Sequence, residues 1–275
     1  NCAWVSAPLD RELEQGGFFD VAIDPDRGTV TAAIITGRLA RLPYTSEVAI
    51  SALVRPLLGE EIKGPLCMVE EGKNNRLLRF LRDGATVVMI GDHCVCSMVV
   101  TAEQVRAEPE SLYGYPMGTL LVDPELSHLQ THFVSPTEAI TRWRVALAAE
   151  AAGLLAGALG SVCDHVSGRE QFGRALGSFQ AVRHRLAEAQ VRSNGVYWLA
   201  MKAAATLDAG DAALAALHAQ ESIKATVYDF HQFLGAMGMT LEHPLHLWTY
   251  RLKALSSELG GRGVQALAAA KGLWR

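Results

Sequence analysis

The tetrapeptide Ser135-Pro136-Thr137-Glu138 constrains the fold more than any other part of the chain. A serine hydroxyl that accepts from free amides, a proline at the first helical position and a glutamate three residues after the cap together specify a helix start. From there the 275-residue chain reads as helical almost to its end. Apolar spacing predicts a first helix to about Gly168, with Ile140, Leu147, Leu154, Leu155 and Val162 on or near a buried stripe. A second runs from about Ala175 to Leu207, stopped by Asp208-Ala209-Gly210, and a third from about Asp211 to Leu234. One or two more lie between Pro244 and Leu273. Four or five long helices joined by short glycine-containing turns make an antiparallel bundle, and their many alanines favour close approach.

The period changes upstream. Residues 61–134 carry short β-rich runs (LCMVE, RLLRFL, TVVMI, VCSMVV, GTLLV) separated by glycine, aspartate and asparagine, the pattern of a small antiparallel unit. Residues 1–60 end in TAAIITGRLARLPYTSEVAISALVRPLLG, which predicts one or two short helices around Pro43. The expected fold class is α+β: a helical segment over 1–60, a reduced β domain over 61–134 and a bundle over 135–275.

A net charge of −4 gives no bulk attraction to nucleic acid or anionic membrane. Neither a membrane span nor a basic-then-apolar leader is visible, so the expectation is a soluble, cytoplasmic protein. Cys2, Cys67, Cys94, Cys96 and Cys163 are an odd set without framework spacing and read as free thiols. His93-Cys94-Val95-Cys96 has the look of a metal site, but no second ligand pair follows at zinc-like spacing, so no metal is expected.

The string that bears most on function is Arg169-Glu170-Gln171-Phe172-Gly173, followed by Phe179-Gln180 and His184-Arg185-Leu186-Ala187-Glu188. An arginine at a helix end, a tight glycine turn and a new helix offer a guanidinium fork and free amides, which suit a pyrophosphate. The alternative is an arginine that only caps the preceding helix. About sixty residues on stand Gln232-Phe233-Leu234-Gly235-Ala236-Met237-Gly238 and then Glu242-His243-Pro244, while helix one carries Arg144-Val145-Ala146-Leu147-Ala148. In this order and spacing, residues 135 to about 262 resemble the acyl-CoA dehydrogenase family, with its R-x-x-F-G, F-Q and Q-x-x-G-G-x-G segments. The resemblance implies that Arg169, Gln171, Phe172, Gly173, Gln180, Gln232 and Gly235 approach the ADP half of an FAD held mainly by a neighbouring chain. It also makes Arg144 a candidate substrate contact. Ala236, replacing the second glycine, departs mildly from the pattern.

Other departures bear on catalysis. The family's catalytic carboxylate stands at one of two places, which here are Trp143 and Leu259. Glu258 is one residue off, leaving it as a displaced base or a solvated charge, and Glu150 reads as a polar interface residue. The family's flavin-ring segments have no counterpart; the nearest material is Val69-Glu70-Glu71-Gly72-Lys73-Asn74-Asn75. The chain is also roughly a hundred residues shorter than typical members, mostly through loss of the N-terminal helical domain, so residues 1–60 read as a remnant. These features imply a subunit of a heteromeric, α2β2-type dehydrogenase that completes the FAD site of a full-length partner, the substrate being an acyl-CoA with a steroid or bile acid side chain. A cofactor-free scaffold and a self-sufficient homomeric enzyme using Glu258 are the alternatives.

Overall fold

The computed structural model describes residues 5–59, 61–62, 64–73, 77–122 and 129–274. Cys2 and the Asn74-Asn75 end of the weak ring-segment match lie outside them.

Helix α5, Pro136–Gly168, is the axis of the molecule. Ser135 caps it by accepting from the Glu138 amide at 3.1 Å, as the tetrapeptide predicts. Around it pack α6 (Gln180–Thr206), α7 (Ala209–Leu234) and α8 (His246–Leu255), while α9 (Gly261–Leu273) lies along α7. From the N-terminal side α2 (Gly28–Ala40) and α3 (Val48–Leu53) also lie on α5. An 18-residue window of α5 is long and apolar enough to cross a membrane, yet 78% of that window is buried inside the bundle. Close approach needs small residues: a Cβ on Gly153 would stand 2.1 Å from the Gly37 carbonyl, so any side chain there would push α2 off α5.

Two further helices, α1 (Ala7–Gln15) and the single turn α4 (Arg55–Leu58), complete the N-terminal segment. Helix α1 went unread in the sequence although Ser6 caps it and Pro8 sits in its first turn.

The β region differs from the expected antiparallel unit in one respect. Strands β1 (Leu66–Glu70), β3 (Thr86–Ile90), β4 (Val95–Val99) and β7 (Gln130–His132) form one sheet in the order β1-β3-β4-β7, and β1 pairs with β3 in parallel. Between them β2 (Leu78–Arg79) leaves for a second sheet with β6 (Met117–Leu120) and β5 (Val105–Ala107). That crossover lets β1 and β3 run the same way. β3 is buried along its whole length, as a strand covered on both faces must be. The α+β class holds, and β1 and the N-terminal helices share one apolar core with the bundle.

Candidate functional site

The bundle edge carries a cleft of about 660 Å³. Leu176, Val182 and residues 237–242 line part of it, and three further places supply the rest. The last turn of α5 supplies His165 and Arg169, and the hairpin of β8 (Glu170–Gln171) and β9 (Arg174–Ala175) supplies Gln171. The C-terminus of α7 supplies Gln232, Phe233 and Leu234, followed by Gly235 and Ala236. Four residues singled out in the sequence, Arg169, Gln171, Gln232 and Gly235, thus share one cavity although they span two separate segments. Gly235 ends α7 at φ 59°, and nothing lies within 4 Å of where its Cβ would be, so bare backbone faces the open cleft. Arg169 is exposed, and among the described residues no carboxylate is paired with it. Its backbone N–H caps α5 by donating to the His165 carbonyl, which leaves the guanidinium uncommitted to the cap. Burial and then the Arg169 charge hold His165 below the ordinary histidine range. The exposed Glu242 on the far wall is the one carboxylate lining the cleft.

The other candidates stand around this cavity. Phe172 and Gly173 form the β8–β9 turn with φ 57° and 79°; the Phe172 side chain is almost fully exposed and meets Phe179 edge-on at 6.1 Å. Gln180 opens α6, exposed and outside the cavity lining. Arg144, the candidate substrate contact, is hydrogen-bonded within the fold. Its Nε donates to Gln265 Oε1 at 2.7 Å, and Gln265 Nε2 donates in turn to the Leu259 carbonyl at 2.6 Å. It lines neither of the two cavities described here.

A second cavity, about 360 Å³, lies where β1, β2, α5 and the turn after α8 meet. Here Trp143 and the Ser257–Leu259 turn, the two places where a catalytic base was sought, come together. Glu258 is not a solvated charge. Arg79 on β2 grips both its carboxylate oxygens, Nε at 2.9 Å and Nη2 at 3.0 Å, and Trp143 Nε1 donates to it at 2.5 Å. Arg79 Nη1 reaches Glu150 at 3.0 Å, and Tyr115 donates its hydroxyl to the other Glu150 oxygen at 2.7 Å. Glu150, expected at an interface, is therefore 3% exposed inside the fold. Burial works against the Arg79 charge, but Glu258 and Glu150 outweigh it and hold the guanidinium protonated. The neighbouring Leu259 is buried in the left-handed region at φ 52°, strain of about 1–2 kcal/mol for a residue with a side chain. Gln220 and Gln265 hold that turn: Gln220 Nε2 donates to the carbonyls of Leu255 and Glu258 at 3.0 and 2.9 Å. Sequence reasoning missed Arg79, Tyr115 and Gln265. The signal available for Arg79 was a charged residue inside the apolar run RLLRFL.

Among the described residues no cluster of three or more histidine, cysteine or carboxylate groups is placed to hold a metal ion.

Residues 133–274 match the family model described as "Acyl-CoA dehydrogenase, C-terminal domain". Acyl-CoA dehydrogenase FadE34 of Mycobacterium tuberculosis is 38% identical over 124 residues, covering 42% of this chain and 17% of that protein. FadE28 of the same organism is 34% identical over 120 residues, covering 42% of this chain and 35% of its own. The matched segments thus span little more than a third of these relatives at most. Two solved structures share the fold over nearly the whole chain. The Tcur3481-Tcur3483 steroid ACAD has a TM-score of 0.74 at 21% identity, covering 97% of this chain and 88% of that one. The ChsE4-ChsE5 complex from Mycobacterium tuberculosis has 0.66 at 20% identity, with coverages of 98% and 88%.

Proposed function

Because this chain belongs to the acyl-CoA dehydrogenase family, we propose that it is one subunit of a heteromeric FAD-dependent acyl-CoA dehydrogenase and lends ADP-side contacts to a flavin seated in a full-length partner. The observation that carries this reading is the convergence of Arg169, Gln171, Gln232 and the bare backbone of Gly235 on one bundle-edge cleft. These groups fit the dinucleotide tail: a planar guanidinium pairs bidentately with phosphate, two amides can donate, and a glycine lets backbone come near. When bound, FAD would accept the hydride in α,β-dehydrogenation of a CoA thioester. This chain's residues would bind and orient its tail.

The clamp on Glu258 supports a base supplied by the partner. A carboxylate held bidentately by Arg79 and again by Trp143 has three of its about four lone-pair sites engaged by donors, which leaves little of it to take a substrate proton. A self-sufficient enzyme would need that clamp to open. The substrate class, a steroid or bile acid side chain on CoA, is favoured by the fold neighbour described as a steroid ACAD, and assembly from unlike subunits by the neighbour described as a ChsE4-ChsE5 complex.

The test is flavin occupancy. In a complex co-purified with the full-length partner, Arg169→Ala should lower bound FAD at least several-fold, measured from flavin absorbance per mole of complex. Occupancy equal to wild type would remove the shared site.

A further inference from the structure

One pair of side chains lies outside both cavities and takes no part in either. Cys94 ends the turn between β3 and β4, and Cys96 sits within β4, where it pairs with Met89 on one side and Thr131 on the other. Their sulfurs are 3.6 Å apart, with the Cys96 thiol donating to Cys94 Sγ. Cys96 is 3% exposed, whereas Cys94 is partly open to solvent. Cys67 is fully buried, and among the described residues no sulfur contact joins it or Cys163 to another cysteine.

We propose that Cys94 and Cys96 form a dithiol modification site that closes to an intramolecular disulfide on exchange with a low-molecular-weight disulfide. Accessibility divides the roles. The Cys94 thiolate attacks the disulfide RS–SR, forming a mixed disulfide and releasing RS⁻, which takes up a proton to become RSH. Cys96, 3.6 Å away, loses its proton and attacks the Cys94 sulfur, displacing the second RS⁻. In sum two thiols lose two electrons and two protons, and RS–SR becomes two RSH.

Geometry sets the character of the bond. Two residues apart in extended chain, the Cα atoms lie about 6.6 Å from each other, near the long end of the disulfide range. Closure draws the sulfurs in by about 1.5 Å. Cys94 stands just before the strand, so the turn can supply that movement while Cys96 keeps its place in the ladder. A bond that closes a loop of only three residues constrains the unfolded chain little, which marks a reversible modification and not a structural staple. The hydrogen bond with Cys96, then burial, then the nearby Glu71 carboxylate push the Cys94 thiol above its ordinary value. Exchange should therefore be slow at neutral pH and quicken as pH rises.

The test uses the reduced 275-residue chain, oxidised glutathione as probe, a maleimide quench and mass spectrometry of tryptic peptides. The peptide Asp83–Arg106 holds Cys94 and Cys96 and no other cysteine. It should lose about 2 Da, carry no maleimide, and form faster at higher pH. Cys96→Ser should instead trap glutathione on Cys94. Recovery of the wild-type peptide with two maleimides, or with a persistent glutathione adduct, would overturn the proposal, and the wild-type arm decides even where a variant folds poorly.

Discussion

Among the described residues Arg79 is the side chain that pairs with two carboxylates, the buried Glu150 and the half-buried Glu258. Removing it would strand both, and breaking a buried pair typically costs about 3–5 kcal/mol. Arg79→Met should therefore lower unfolding free energy by that order in a denaturant titration. Glu258→Gln, by contrast, should leave turnover of the assembled complex within a few-fold of wild type, whereas a loss of several orders of magnitude would identify Glu258 as a base. Glu47 offers a test of a different kind. It accepts from the amides of Ser51 and Leu66 and from the Ser51 hydroxyl, tying α3 to β1. Burial nevertheless outweighs these donors and raises its carboxyl to about 7. The folded state thus holds a proton that the unfolded chain releases near the ordinary carboxylate value. The associated stability, about 3 kcal/mol, is present at low pH and lost as pH rises to about 7. Unfolding free energy of the wild type should fall over that window and that of Glu47→Gln should stay flatter; equal slopes would contradict this. At this scale the cleft was partly legible. Arg169, Gln171, Gln232 and Gly235 announce themselves by motif, but Arg79 and Glu150 do not, because their meaning depends on partners 71 and 179 positions apart in the chain.

Among the elements, the bundle helices were the most readable. Their caps and stops are local chemistry, so Ser135 and the Asp208 segment fix ends without knowledge of the fold. The parallel pairing of β1 with β3 was not readable, since nothing in LCMVE or TVVMI records that β2 departs to another sheet. Helix α8 shows how elements are tied together. Arg251, 2% exposed, donates to the Leu247 carbonyl of its own helix and to the carbonyls of Leu42 and Tyr44 beyond α2. No carboxylate pairs with it among the described residues, and three carbonyls share its charge. Arg251→Met should cost about 2–4 kcal/mol, the penalty of leaving buried carbonyls unanswered, and should loosen the 41–46 loop in hydrogen exchange.

For the molecule as a whole, two cavities divide the chemistry. The bundle-edge cleft offers an uncommitted arginine, two amides and exposed backbone, while the inner cavity is walled by charges that satisfy one another. The groups proposed to bind lie at the outer edge, and the carboxylate beside the expected base position is held by Arg79 and Trp143. This asymmetry is what a chain completing another subunit's site would show. Native mass spectrometry of the complex co-expressed with its full-length partner addresses it most directly. The account predicts one FAD for each pair of unlike chains and none on this chain alone; one FAD on every copy of this chain in isolation would contradict it.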